Sequence, residues 1–176
     1  LALDLAAENT ANAAMALHNL GMVAHRQGDL DRAVALYDES RAIFERIGDE
    51  VMTPIVLLRL AQAALDAGDA AAAKRLLEPS RSLAESSGAW DLIGNLVLAG
   101  LGDLALAEGD PRRAEACYAE ALASALEGNT LSFRIDLAAA VLAQGEHRRA
   151  ATIYAEALAG TRQAGDVPGL VRTIEG

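Results

Sequence analysis

The sequence predicts an all-α fold, an α-solenoid in which antiparallel helix pairs stack along the chain. First, a Gly-Asp pair recurs at steps of 40, 41 and 36 residues, ending as Gly-Glu, at Gly28-Asp29, Gly68-Asp69, Gly109-Asp110 and Gly145-Glu146. Second, small and large apolar residues recur at fixed distances from each of these Gly-Asp or Gly-Glu pairs. Third, Ala and Leu dominate a composition that is 52% hydrophobic with only four prolines, which favours closely packed helices over a sheet. One helix pair cannot bury its apolar stripe alone, so the pairs must stack.

The register assigns a packing role to each repeated position. Eight residues before each repeated glycine stands a leucine followed by a small residue, at Leu20-Gly21, Leu60-Ala61, Leu101-Gly102 and Leu137-Ala138. An alanine stands five residues after the glycine and a large residue nine after it, at Ala33 and Tyr37, Ala73 and Leu77, Ala114 and Tyr118, and Ala150 and Tyr154. The small residues let the helices of a pair approach, and the large residue fills the space between pairs. Glycine ends each first helix, and the acidic residue caps or charges the second.

In chain order we expect ten helical segments and no strand. Residues 1–8 have the pattern of the end of an earlier second helix, which should stop at the capping residues Asn9 and Thr10. Four repeats follow at about 11–47, 50–87, 89–127 and 130–164, and a last partial helix covers 167–176. The connections are short, as in antiparallel pairs, and no linker divides the chain, so a single array over 1–176 is predicted.

This register resembles that of the tetratricopeptide repeat. The residues that carry the resemblance in the first repeat are Leu17, Leu20, Gly21, Gly28, Ala33 and Tyr37. The usual unit has about 34 residues, so the longer step here implies longer helices. Among such proteins, this style is similar to the C-terminal repeat region of large bacterial NTPase-type (LuxR/MalT-like) transcription regulators, and to the repeats of kinesin light chains. The resemblance implies a right-handed superhelix whose concave groove is lined by the first helix of each pair.

Composition and charge narrow the function classes. The net charge of −10 at pH 7 makes the chain a poor candidate for binding nucleic acid or an anionic membrane. One cysteine, Cys117, cannot form an internal disulfide, which indicates a reducing compartment. We expect neither a signal peptide nor an apolar run of about 18 residues, and hence a cytoplasmic location. The sequence lacks the motifs of nucleophilic hydrolases, zinc proteases and phosphate-binding loops, so we expect no enzyme, no cofactor and no metal.

The register places a set of residues on the groove side of the first helices. These candidate partner-binding residues are Met15, His18, Asn19, Met22, His25, Arg26, Ile55, Leu58, Arg59, Gln62, Asp66, Leu96, Asp103 and Leu106. His18 and His25 stand seven residues apart, about 10 Å along a helix, which is too far for one metal ion. The cluster of Lys, Arg and Asn with which chaperone-tail binders of the family hold a carboxylate is absent. A mixed, largely apolar groove favours a helical or extended segment of a partner protein, or of the parent protein itself.

The function predicted from these features is a protein-interaction or sensory scaffold, part of a bacterial regulator. Binding in the groove would shift a conformational balance in the parent protein. Two alternatives remain beside it. The apolar ends of the array could stack and assemble a parent protein, or the groove could receive a small molecule.

Overall fold

A computed structural model describes residues 2–125 and 130–163, with side chains for 9–125 and 130–160. In those ranges the chain forms eight helices and no strand. They are α1 (Ala2–Arg26), α2 (Leu30–Ile47), α3 (Met52–Asp66), α4 (Ala70–Ser86), α5 (Trp90–Ala107), α6 (Pro111–Ala123), α7 (Thr130–Ala143) and α8 (His147–Gln163).

The helices pack as consecutive pairs, and the fold is an α-solenoid of such pairs. Helix α1 packs on α2, α3 on α4, and α7 on α8, while α2 also contacts α3, and α6 contacts α7. The chain divides into two compact units, Leu1–Gly100 and Leu101–Gly176, with the boundary inside α5. The first unit contains the first two repeats and the start of the third.

The predicted packing positions form the core of the pairs. The repeated alanines Ala33, Ala73, Ala114 and Ala150 are buried, and so are the large residues Tyr37, Leu77 and Tyr118. In the fourth repeat Tyr154 is only half-buried. Glycine is required beside two of the tyrosines, because a Cβ at Gly21 would lie 2.6 Å from the Tyr37 ring and one at Gly102 would lie 2.5 Å from the Tyr118 ring.

The Gly-Asp pairs act as the predicted junctions. Gly28 ends α1 with a φ of 78°, in the left-handed region that favours glycine. The next residue, Asp29, caps α2, because its carboxylate accepts a hydrogen bond from the backbone N–H of Arg32. Asp69 and Asp110 cap α4 and α6 in the same way.

Two buried serines tie the helices of a pair together. The Ser40 hydroxyl donates to the backbone carbonyl of Ala14 at 2.8 Å, and Ser80 donates to the carbonyl of Pro54 at 2.9 Å. Both serines are fully buried. Each bond joins a second helix to the first helix of its own pair, 26 residues earlier in the chain.

The structure corrects the predicted element boundaries at the N-terminus. The break expected at Asn9 and Thr10 is wrong, because α1 runs unbroken from Ala2 to Arg26. Capping residues can also stand inside a helix when the neighbouring residues are good helix formers, as the surrounding alanines are. The helix predicted over 167–176 lies outside the described residues.

Helix α5 corrects the expectation about apolar runs. Over Trp90–Ala107 its mean hydropathy is 1.4, so it is long and apolar enough to cross a membrane by length and composition. The helix nevertheless contains Asp91 and Asp103, and its glycines face side chains of the repeats: Gly100 faces Leu77, and Gly102 faces Tyr118. Contacts of this kind are typical of a helix in a protein core, and such a helix can have the same length and hydropathy as a membrane-spanning one.

Candidate functional site

A pocket of about 340 Å³ opens in the first compact unit among α1, α2 and α3. We call it the α1–α3 pocket. Its lining residues are Met22, His25, Arg26, Tyr37, Arg59, Gln62 and Asp66. All of these except Tyr37 are among the candidate groove residues of the sequence analysis. That they bind a partner stays a prediction.

The floor of the pocket is set by the packing of Tyr37. The ring lies against Gly21, where a side chain would leave it no room. Two histidines of α1 flank it, with ring centroids 5.8 Å away for His18 and 6.3 Å away for His25. The phenol is therefore held by α1 on several sides, and Tyr37 is one of the residues that line the pocket.

The acidic side chain of the pocket is already hydrogen-bonded within it. The Asp66 carboxylate lies 2.6 Å from His25 Nε2 and accepts a second hydrogen bond from Gln62 Nε2 at 3.3 Å. The contact with His25 connects α1 to α3 across the pocket, and the contact with Gln62 lies within α3. The Asp66 carboxylate is therefore already hydrogen-bonded to two side chains of the same pocket.

The two guanidinium groups of the pocket have no such partners. Arg26 and Arg59 are exposed, and neither forms an ion pair within the part of the chain that the structure describes. Burial raises the pKa of Tyr37, while Arg59 and Arg26 act in the opposite direction. Both guanidinium groups are therefore close enough to the phenol to favour its ionisation.

Two buried polar atoms, one on Tyr37 and one on the neighbouring His18, lack a hydrogen-bond partner among the described residues. Tyr37 is fully buried, and no described residue accepts from its hydroxyl. His18 is 5% exposed, and its Nδ1 is also without a partner among those residues. Burial, followed by the charge of Arg59, lowers the pKa of His18. Buried polar groups without partners are uncommon, and they occur at sites that a ligand or water fills.

The same positions in the second compact unit have a different chemistry. Tyr118 corresponds to Tyr37, and its hydroxyl donates to Asp103 Oδ1 at 2.6 Å. Asp136 of α7 stands at the register position of Arg59. Burial and the nearby Asp103 raise the pKa of Asp136 to about 6. The corresponding place in this unit is therefore acidic, and its tyrosine is satisfied.

The remaining candidate groove residues lie outside the lining of the α1–α3 pocket. His18 is buried beside the Tyr37 ring, Met15 and Asn19 are exposed on α1, and Leu58 packs against Gly100. The others, half-buried on α3 and α5, are Ile55, Leu96, Asp103 and Leu106. For Tyr37 the sequence predicts packing alone, since periodicity indicates that a ring is buried but not whether its hydroxyl finds a partner. In the ranges the structure covers, no group of three or more potential metal ligands occurs.

Known structures share this fold. That of BtubC (BKLC) from P. vanneervenii matches with a TM-score of 0.68 at 20% identity, over 87% of this chain and 65% of that one. A putative kinesin light chain from Podosopora anserina with nearly identical TPR-like repeats matches with a TM-score of 0.57 at 18% identity, over 87% and 77%. MamA (41-end) from Desulfovibrio magneticus RS-1 has a TM-score of 0.58 at 16% identity, over 86% and 77%. This chain thus spans less than two thirds of BtubC, and at these identities the likeness concerns the fold alone.

The sequence itself matches the family at two places. Two family models, both described as tetratricopeptide repeat, match residues 12–86 and 100–167. Among curated proteins, no sequence matches the chain. The two family matches, which together span most of the repeats, show that this chain belongs to the tetratricopeptide repeat family.

Proposed function

We propose that the chain is a protein-interaction scaffold whose α1–α3 pocket receives a segment of a partner protein or of the parent protein. Tetratricopeptide repeats suggest such a scaffold in general, and family members of this fold are typically not catalytic. The observation that carries the proposal is the pocket itself. It combines the half-buried Met22 with the unpaired Arg26 and Arg59 and with the unsatisfied hydroxyl of Tyr37. A mostly pre-formed depression with a few convergent polar groups is typical of ligand sites.

The test begins with a random peptide library displayed on phage and selected on the full chain. Enriched peptides are then titrated into the ¹⁵N-labelled protein. We expect the backbone amides of Met22 and Gln62 to shift, and a pocket-filling Gln62→Trp variant to weaken binding by about tenfold or more. Gln27→Trp, at an exposed position outside the lining, is the matched control. Peptides that bind both variants equally and leave the Met22 amide unchanged would move the site elsewhere.

We further propose that the scaffold serves as the sensory arm of a larger bacterial regulator. The support for this is the long, Ala- and Leu-rich repeat with Gly-Asp junctions. In such a protein, occupancy of the pocket would shift a balance between conformations only if the segment binds one of them more tightly. Sequencing the gene on both sides tests the context, since a phosphate-loop NTPase or a helix-turn-helix in the same reading frame is expected.

A second candidate function is assembly through the outer face of α1. Leu20 and Val23 are each 50% exposed there, and Ala13 and Ala16 continue the same exposed face. An exposed apolar stripe of this kind favours association with another helix. Sedimentation velocity over a hundredfold range of concentration measures this, and Leu20→Glu should abolish any concentration-dependent mass. A mass that stays monomeric throughout for the native chain would exclude the assembly function.

A further inference from the structure

The α1–α3 pocket has more hydrogen-bond donors and more positive charge than its own residues use. Asp66 is occupied by His25 and Gln62. This leaves the guanidinium groups of Arg26 and Arg59, neither of them ion-paired within the described part of the chain. The fully buried hydroxyl of Tyr37 adds a donor without an acceptor.

A single sequence difference between repeats explains why Tyr37 lacks an acceptor. In the third repeat Tyr118 donates to Asp103, which stands six residues before the repeated glycine. In the first repeat that position is Met22, which has no comparable acceptor. No described residue therefore supplies an acceptor, and because the hydroxyl has almost no accessible surface, a ligand can reach it only when side chains of the lining move aside.

We propose that the α1–α3 pocket binds a phosphate monoester dianion, held between Arg26 and Arg59 and accepting a hydrogen bond from the Tyr37 hydroxyl. The identity of the carrier, a phosphorylated side chain of a peptide, rests on the proposed scaffold function. The ester's organic part lies against Met22, the half-buried apolar residue of the lining.

The number of donors favours a phosphoryl group over a carboxylate. Each guanidinium can present two N–H donors to one oxyanion, and the phenol adds an O–H. A carboxylate has two oxygens with about four lone-pair sites. A phosphoryl group has three oxygens and a charge of about −1.5 to −2 at pH 7, which matches two unpaired guanidinium groups.

The overall charge argues against a polyanion as the ligand. The chain has a net charge of −10 and repels nucleic acid at long range. A short-range site with two arginines inside an acidic protein suits one compact dianion on a ligand that is otherwise uncharged. This is the chemistry of a phosphorylated serine, threonine or tyrosine among neutral residues.

The probes are three degenerate pentapeptide pools that differ only in a central phosphoserine, serine or glutamate, together with inorganic phosphate. Each is titrated into the ¹⁵N-labelled full chain, and the amides of Met22 and Gln62 report binding even when it is weak. We expect the phosphoserine pool to bind at least about tenfold more tightly than the serine and glutamate pools. Lowering the pH from 7.5 to 5.5 should weaken it, since the second pKa of phosphoserine is about 6.

Four variants and one control assign the contacts. Arg26→Gln and Arg59→Gln should each weaken the phosphoserine pool by about tenfold. Tyr37→Phe should weaken it severalfold without lowering stability, because the lost hydroxyl has no partner among the residues that the structure describes. Met22→Asp gives that hydroxyl an acceptor and adds a negative charge, so it should abolish binding. Arg75→Gln on α4, exposed and outside the lining, should change nothing.

The outcomes separate this inference from the scaffold function. Equal binding of the phosphoserine and glutamate pools, or phosphoserine binding that survives Arg26→Gln and Arg59→Gln, would overturn the phosphoryl site. If library peptides still shift Met22 in that case, the scaffold function stands. If inorganic phosphate binds as tightly as the phosphoserine pool, the phosphoryl site is supported and the peptide as its carrier is overturned.

Discussion

The close contact between Gly21 and Tyr37 predicts that the effect of Gly21→Ala on the free energy of unfolding changes sign when Tyr37 is replaced by leucine. In the native chain a Cβ at position 21 would lie 2.6 Å from both Cδ1 and Cε1 of the Tyr37 ring. His18 and His25 flank that ring, so it cannot move aside freely. Such overpacking costs about 1–3 kcal/mol, whereas alanine in a helix interior is favoured over glycine by about 1 kcal/mol. We expect Gly21→Ala to lower the free energy of unfolding by up to about 2 kcal/mol.

The second repeat shows how the same site is packed without the clash. There Ala61 takes the place of Gly21 and Leu77 the place of Tyr37, and both are fully buried. In a Tyr37→Leu background, Gly21→Ala should therefore raise the free energy of unfolding by about 1 kcal/mol. Together the two effects give a coupling energy of about 1–3 kcal/mol between the sites.

Urea unfolding of the four proteins measures this cycle. Circular dichroism at 222 nm follows all helices, and the fluorescence of Trp90, the only tryptophan, follows the first compact unit. Coincident transitions are needed before free energies are compared, because repeat proteins can unfold in parts. If Gly21→Ala changes the free energy by the same amount in both backgrounds, the close approach of helix and ring is not what requires glycine.

Three further predictions concern stability. Ser80→Ala should cost about 0.5–1.5 kcal/mol in urea unfolding, because it removes the buried hydrogen bond between the helices of the second pair, whereas the exposed Ser82→Ala should cost almost nothing. The pKa of Asp136 is raised to about 6, so the folded state favours the protonated acid. The stability gained from this preference is complete below pH about 4 and is lost as the pH rises through about 6. Asp136→Asn should flatten that part of the pH–stability curve, unlike the exposed Glu120→Gln. Asp110→Ala removes the cap of α6 and should lower the melting temperature by a few degrees, a cost of about 1 kcal/mol.

Much of the fold was predictable because the repeat constrains it several times over. The positions of Ala33 and Tyr37 recur in every unit, and a register that agrees four times leaves little choice of helix boundaries near the junctions. The N-terminus was the exception: Asn9 and Thr10 have no counterpart to compare, and local capping propensity is a weak signal on its own. The high mean hydropathy of α5 is likewise hard to recognise in the sequence, because its two aspartates interrupt the apolar run.

The sequence predicts which first-helix residues lie together, and that these residues bind a partner stays a prediction. The register put Met22, His25 and Gln62 on one side of the first helices, and the structure brings them together. The register could not show that His18 is buried, since one helical face contains both buried and exposed positions. Nor could it show that Tyr37 lacks a partner, because that depends on which side chain of a neighbouring turn reaches the hydroxyl.

The two compact units show that the register fixes the packing while single residues set the charge. Asp103 satisfies Tyr118 and, by its charge, adds to the shift at Asp136. Asp103→Met, which copies the first repeat, should therefore have two opposing effects. It leaves the Tyr118 hydroxyl without its acceptor, a cost of about 1–3 kcal/mol, and it relieves the repulsion at Asp136 only when Asp136 is ionised. Urea unfolding should show a larger loss of stability at pH 5, where Asp136 is mostly protonated, than at pH 7.5. An equal loss at both pH values would mean that the two carboxylates do not interact and that the acidic counterpart of the α1–α3 pocket is not a coupled site.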